Sequence, residues 1–151
     1  MKLKRHNNFL NESSFFDQYQ MLKQLLYEIN EYGKYNIYKE TWHVYNEKDQ
    51  KVGSYYMFID NNKTLIIDKL NFDENLEETK EEKRDHAKLF LEQIINFCND
   101  QNIIAAVSPD RIRDRKIRKK VKDFYKEHGF IPNRGDKINP IITETMYRPL
   151  H

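Results

Sequence analysis

Three side chains in the first half of the sequence stand where a proton acceptor would be useful. Asp68 lies in Thr64-Leu65-Ile66-Ile67-Asp68-Lys69-Leu70, a β-rich stretch whose apolar neighbours would half-bury its carboxylate. A carboxylate there could take a proton from an ammonium group, directly or through water. Glu40 and His43, in the stretch Tyr35–Tyr45, are its rivals, because only one set of strand faces points inward. The commoner use of such a residue is a solvent-facing charge on an alternating strand. Other chemistries are poorly served. His6, His43, His86, His128 and His151 show no metal-ligand spacing, and neither a nucleophile elbow nor a Walker phosphate loop is present. Cys98, the single cysteine, falls on the apolar stripe of a predicted helix, which suits a core thiol and excludes a disulfide within the chain.

The charges are unevenly spread. The total is only +2, but Asp73–Asp85 holds seven acidic residues against Lys80, Lys83 and Arg84. Asp110–Lys126 then holds nine Lys and Arg against Asp110, Asp114 and Asp123. The basic helix 111–126 has three readings: a phosphate holder, a contact for an acidic macromolecule, or a solvated face. No aromatic residue interleaves the run Arg111–Lys122, which disfavours single-strand binding by base stacking.

The elements that must position these residues follow from periodicity. Glu12–Tyr32 reads as an amphipathic helix through Phe15, Tyr19, Leu22, Leu26 and Ile29. Three β-rich stretches, Tyr35–Tyr45, Val52–Ile59 and Thr64–Phe72, are separated by short turn-like gaps and predict an antiparallel meander. A second helix starts near Thr79 and buries Ala87, Leu91, Ile94, Ile95 and Cys98. Ile103–Val107 is an unbroken apolar run, suited to a strand covered on both faces. Asp114–His128 is a basic helix closed by Gly129, and two short strands are expected at Phe130–Pro132 and Ile141–Arg148. The result is a mixed α/β, or α+β, domain over 1–151, with a helical segment at 1–33 and a sheet core at 34–150. The sheet is expected to be mostly antiparallel, with about six strands and three main helices.

Composition limits the class of molecule. At 151 residues, 38% apolar and 13% aromatic, the chain can bury its own core and is not a disordered polymer. No run approaches the roughly 18 apolar residues of a spanning helix, and Met1–Asn8 has no apolar stretch behind it to make a secretory signal. The expectation is a cytoplasmic protein with no membrane partner.

Two segments resemble the GNAT superfamily of N-acetyltransferases. Asp123-Phe124-Tyr125-Lys126-Glu127-His128-Gly129-Phe130 is similar to the ending of that family's fourth helix, and Glu144-Thr145-Met146-Tyr147-Arg148 to its last strand in bacterial and phage members. The resemblance covers roughly 35–150. It implies a V-shaped opening between Thr64–Phe72 and Ile103–Val107, in which acetyl-CoA lies as cosubstrate. It implies that backbone amides of Leu70, Asn71 and Phe72 hold the thioester carbonyl, as an oxyanion hole does. It aligns the family's pyrophosphate loop with Glu82–Ala87, so that Arg84, Asp85, His86, Ala87 and Lys88 would bind cofactor. Only Ala87 keeps the family's residue type there; Asp85 replaces a glycine and Glu82 a leading Arg or Gln. Tyr125 would protonate the departing thiolate, or else anchor its helix to the sheet. With Asp68 as base, the implied function is N-acetyl transfer to an amine of unknown class, by a monomer or homodimer. The alternative is a GNAT-like module that has lost the cofactor and binds a protein or nucleic acid.

Overall fold

A computed structural model describes residues 18, 20–25, 37–38, 41–45, 48–72 and 77–150. Residues 20–25 are helical, and Leu22 from this segment is fully buried in the core. The remainder of the expected helix over Glu12–Tyr32, together with Glu40 and residues 73–76, lies outside the described residues. Among the described residues no helix is long and apolar enough to cross a membrane.

One mixed sheet organises the chain. Its strands are β1 (Ile37–Tyr38), β2 (Thr41–Tyr45), β3 (Lys51–Ile59), β4 (Thr64–Asn71), β5 (Ile104–Val107), β6 (Ile131–Pro132) and β7 (Met146–Arg148). In space they run β1-β2-β3-β4-β5-β7-β6, and only β4 and β5 are parallel. The two long helices are α1 (Lys80–Gln101) and α2 (Arg115–Glu127). The α+β class with a mostly antiparallel sheet is therefore the observed one.

The meander is present with one change. The stretch expected as a single strand over Tyr35–Tyr45 is two short ones, β1 and β2, paired as Ile37 with Trp42 and Tyr38 with Thr41. β2 pairs with β3, and β3 with β4, with Asp49 and Lys63 taking left-handed backbone (φ 64° and 57°) at the two turns. The last strand is also shorter than the expected Ile141–Arg148. Asn133 explains this: its side-chain amide donates to the carbonyls of Ile142 (2.9 Å) and Glu144 (3.0 Å), while its oxygen accepts from the Asn139 amide (2.7 Å). Those carbonyls are taken from any ladder, so the chain loops around Asn133 until Met146.

Two apolar clusters cover the sheet. One contains Leu22, Leu65, Ile67, Phe72, Phe90, Leu91, Ile94, Tyr125 and Phe130, so it joins α1, α2 and the helical segment to one face. The other contains Ile66, Ala106, Ile142 and Tyr147, so the 133–145 loop closes the opposite face. Ala105, Ala106 and Val107 of β5 are each at most 1% exposed, as a strand covered on both faces requires. α1 begins at a capping box: the Thr79 hydroxyl accepts from the Glu82 amide, and the Glu82 carboxylate accepts from the Thr79 amide (both 3.1 Å). It ends at Asn102, in left-handed backbone.

Candidate functional site

β4 and β5 run together and then part. Their pairing extends from Thr64–Ile104 to Ile67–Val107 and goes no further. β5 stops because Ser108-Pro109 follows, and proline has no amide hydrogen to give a ladder. β4 continues to Asn71 paired, among the described residues, with β3 alone. At the point of parting β4 carries a bulge: Tyr56 pairs with Lys69 and Met57 with Ile67, which leaves Asp68 as the extra residue. A bulge bends and twists its strand and resets the alternation of side chains. Before it, Leu65 and Ile67 face the helices; after it, Leu70 and Phe72 do, in place of Lys69 and Asn71.

The gap so opened holds two cavities that share the wall formed by Leu70, Val121 and Tyr125. The first, of about 270 Å³, lies between the ends of β4 and β5 and is bordered by Asp68, Ser108, Arg111 and Glu144. The second, of about 560 Å³, lies between the end of β4 and the facing sides of α1 and α2. Its apolar lining is Leu70, Phe72, Ala87 and Phe124, and its charged rim is Lys80, Lys83, Arg84, Lys120, Asp123 and Glu127. Arg84 and Glu127 approach to 3.6 Å across this rim, both well exposed, so the pair joins the two helices only weakly. The Asp123 carboxyl is held below its usual range by hydrogen bonding from the Lys119 ammonium at 2.9 Å.

Tyr125 is the residue common to both cavities that can do acid–base chemistry. Its ring is set edge-on between Phe124 (centroids 5.5 Å apart) and Phe130 (5.1 Å), and it is 5% exposed. Burial alone pushes its phenol well above the ordinary tyrosine range, with no charge opposing the shift. The hydroxyl is therefore protonated throughout the working range of pH. Two turns of backbone hold this corner: Phe130 donates to the Tyr125 carbonyl (3.1 Å) and Gly129 to that of Lys126 (3.1 Å), with Gly129 at φ 90°.

The other anticipated residues divide into two groups. Asp68, Leu70, Asn71, Phe72, Arg84 and Ala87 line one or other cavity. Asp68 does so as an exposed side chain at the bulge, not as the half-buried carboxylate expected from its apolar neighbours. His43 sits half-buried on β2, opposite Ser54, and lines neither cavity.

Asp85, His86 and Lys88 also line neither cavity. The stretch aligned with a phosphate loop, Glu82–Ala87, is regular helix, because the capping box starts α1 at Lys80. The amides of Asp85, His86 and Ala87 thus lie beyond the first four helical residues and belong to the helix's own ladder. The helix terminus that faces the second cavity is Lys80–Lys83, with Glu81 and Glu82 in its first turn. His86 is instead bound through Nε2 to Glu78 Oε2 at 2.8 Å, with its ring stacked on Phe72 at 6.4 Å.

Sequence reasoning did not place Glu144, Ser108 or Lys80 at the site, whereas Lys120 belongs to the basic helix for which holding a phosphate was one of the three readings. Lys80 was within reach, since Thr79-Lys80-Glu81-Glu82 has the capping-box spacing that marks a helix start. Glu144 was not, because the loop that carries it has no periodicity and is shaped by Asn133.

No protein-family model matches the chain, and neither a curated protein nor a solved structure does. Gly53 of β3 shows how tightly the wall of the site is built: a Cβ there would fall 2.6 Å from the Phe72 ring and 2.7 Å from the Asn71 carbonyl oxygen. Only glycine allows β3 to lie so close to the end of β4.

Proposed function

We propose that the chain is an N-acetyltransferase that moves an acetyl group from acetyl-CoA to an amine, in the cytoplasm and without a covalent enzyme intermediate. The observation that carries this reading is the parting of β4 from β5 at the bulged Asp68, with Tyr125 in the wall between the two cavities. Beyond Ile67 no strand among the described residues pairs with the β5 side of β4, which leaves room for a thioester carbonyl against that edge of the backbone. The resemblance of Phe124–Phe130 and Thr145–Arg148 to the GNAT superfamily points the same way.

The residues of the second cavity suit a long, partly apolar chain ending in phosphates. Leu70, Phe72 and Ala87 offer apolar contact, and Lys80, Lys83, Arg84 and Lys120 supply positive charge at the rim. In the reaction the acceptor, as free amine, attacks the thioester carbon from the first cavity. The C–N bond forms, the C–S bond breaks, and negative charge on the carbonyl oxygen is held by the β4 amides. The amine's proton leaves towards Asp68, directly or through water. Tyr125 gives its phenolic proton to the sulfur. Burial makes a phenol a weaker acid, but a thiolate in the same dry site is a stronger base. Cys98 illustrates the size of that effect in this protein, its thiol being pushed up to about 12 by burial.

A second reading is favoured by one observation. Glu81 and Glu82 occupy the first turn of α1, and Thr79 takes the Glu82 amide, so this terminus already has its anions. A module that kept the fold and binds a macromolecular partner without acetyl-CoA would look like this. Turnover separates the two readings. With a panel of primary amines, release of the CoA thiol is expected from the native chain. Tyr125→Phe should lower it about 100-fold or more with acetyl-CoA affinity unchanged. Equal turnover in the variant would remove the acid role, and no thiol release from any amine would favour the binding module.

A further inference from the structure

We infer that the exposed face of α2, with the 3-10 turn before it, is a docking surface for the phosphate backbone of double-stranded nucleic acid, read without regard to sequence. Arg111 and Lys120 also border the two cavities, so the surface adjoins the acetyl-transfer site, but Arg113, Arg115, Lys116 and Lys126 line neither cavity and the inference is tested on them separately.

The face is built in two layers of cations. Three of them fasten the surface. Lys122 Nζ meets Asp110 Oδ1 at 2.9 Å, Arg118 Nη1 donates to the Ile112 carbonyl at 3.1 Å, and Lys119 Nζ meets Asp123 Oδ2 at 2.9 Å. The first two bonds hold the turn Pro109–Arg111 and the segment after it against α2, and the Asp110 carboxyl is held below its usual range by Lys122. With the turn so fixed, Arg111 and Arg113 stay in place beside the helix.

The second layer is displayed. Arg111, Arg113, Arg115, Lys116, Lys120 and Lys126 are all exposed, and none has a salt bridge among the described residues. On α2, Lys116 and Lys120 are one turn apart, about 6 Å of rise, and Arg115 and Lys126 are about 16 Å apart. Helical geometry places these as two rows on one side of the axis. The opposite side carries Val121, Phe124 and Tyr125, which pack inward.

The form of the surface selects its partner. A duplex presents a charge about every 1.7 Å of its axis, so cations spread along about 16 Å of α2, in excess over Asp123 and Glu127 on the same side, can meet several phosphates. Interfaces with nucleic acid are polar and strongly positive. An acidic protein would be expected to meet an apolar anchor with charge kept to the rim, and here Ile117 is the single large apolar side chain exposed on α2. Single strands are held by stacking on exposed rings, and this face has none, since Phe124 is half-buried and Tyr125 buried.

The test is fluorescence anisotropy of a labelled 24-base-pair duplex titrated with the whole chain, from 50 to 200 mM salt and without acetyl-CoA. The expected Kd is in the range of about 1–100 μM, with log Kd rising with log salt at a slope of about 3 to 5. Arg113→Ala with Lys116→Ala, residues that line neither cavity, should lower that slope by about 2. Arg134→Ala with Lys137→Ala removes the same charge from the short 3-10 turn Gly135–Lys137 and the residue before it, and should leave the slope as it is. Three results would overturn the inference: no binding at 100 μM protein in 50 mM salt, an equal loss in both double variants, or tighter binding of single strands or poly-glutamate than of the duplex. Failure of acetyl-CoA to bind would not affect any of these readings.

Discussion

Burial decides what individual side chains can do in this protein, and Tyr125 and Cys98 show it most clearly. Both are set in the helix-facing core, and both keep their protons because the charged form would lose its water. In Cys98 this has a stability consequence whose sign is fixed. The folded thiol titrates near 12 and the unfolded one near its ordinary value of about 9, so the native state is favoured as long as the thiol is protonated. That contribution is whole below about pH 9 and is lost as pH rises towards 12, at about 1.4 kcal/mol per unit. Urea unfolding from pH 8.5 to 11 should therefore show a flatter loss of stability for Cys98→Ala than for the native chain. Identical slopes would mean that the thiol is not buried as described. The core placement of Cys98 was legible in its spacing with Ala87, Leu91, Ile94 and Ile95. The exposure of Asp68 was not, since apolar neighbours in sequence say nothing of a bulge.

At the scale of elements, β4 carries most of the site. Its sequence, Leu65-Ile66-Ile67-Asp68-Lys69-Leu70-Asn71-Phe72, contains the break in register: Leu65 and Ile67 are two apart, Leu70 and Phe72 are two apart, and the sets are three apart. That offset is the mark of an inserted residue, and a reading that assumes unbroken alternation passes over it. The start of α1 near Thr79 was legible, and aligning Glu82–Ala87 with a loop conflicted with it, because the capping box at Thr79 puts that stretch inside the helix. The wall behind β4 gives the element-scale prediction. Gly53→Ala places a methyl group against Phe72 and the Asn71 carbonyl, and both line the second cavity. The variant should lose about 1–3 kcal/mol of stability, read by urea unfolding, and should bind acetyl-CoA less tightly. Stability equal to that of the native chain would show that the end of β4 has room to move.

At the scale of the whole molecule, class and element order were legible because the core is written in simple periods. The meander alternates, the helices repeat at three and four, and the Ile103–Val107 run marks the central parallel strand. What escaped is what non-periodic chain determines: the 133–145 loop around Asn133, the cavity position of Glu144, and the division of Tyr35–Tyr45 into two strands. The uneven charge seen in sequence has a spatial counterpart as well. Cations of α1 and α2, Lys120 among them, converge on the rim of the second cavity, while Arg115, Lys116 and Lys126 of α2 are exposed and line neither cavity. The central claim is that this rim and the apolar floor beneath it take acetyl-CoA. Calorimetric titration of the native chain with acetyl-CoA tests it most directly, beside Leu70→Trp, which fills the wall shared by the two cavities. Micromolar binding by the native chain, reduced at least tenfold in Leu70→Trp, is the predicted result. No heat of binding at millimolar acetyl-CoA, or equal affinity in the variant, would contradict the claim.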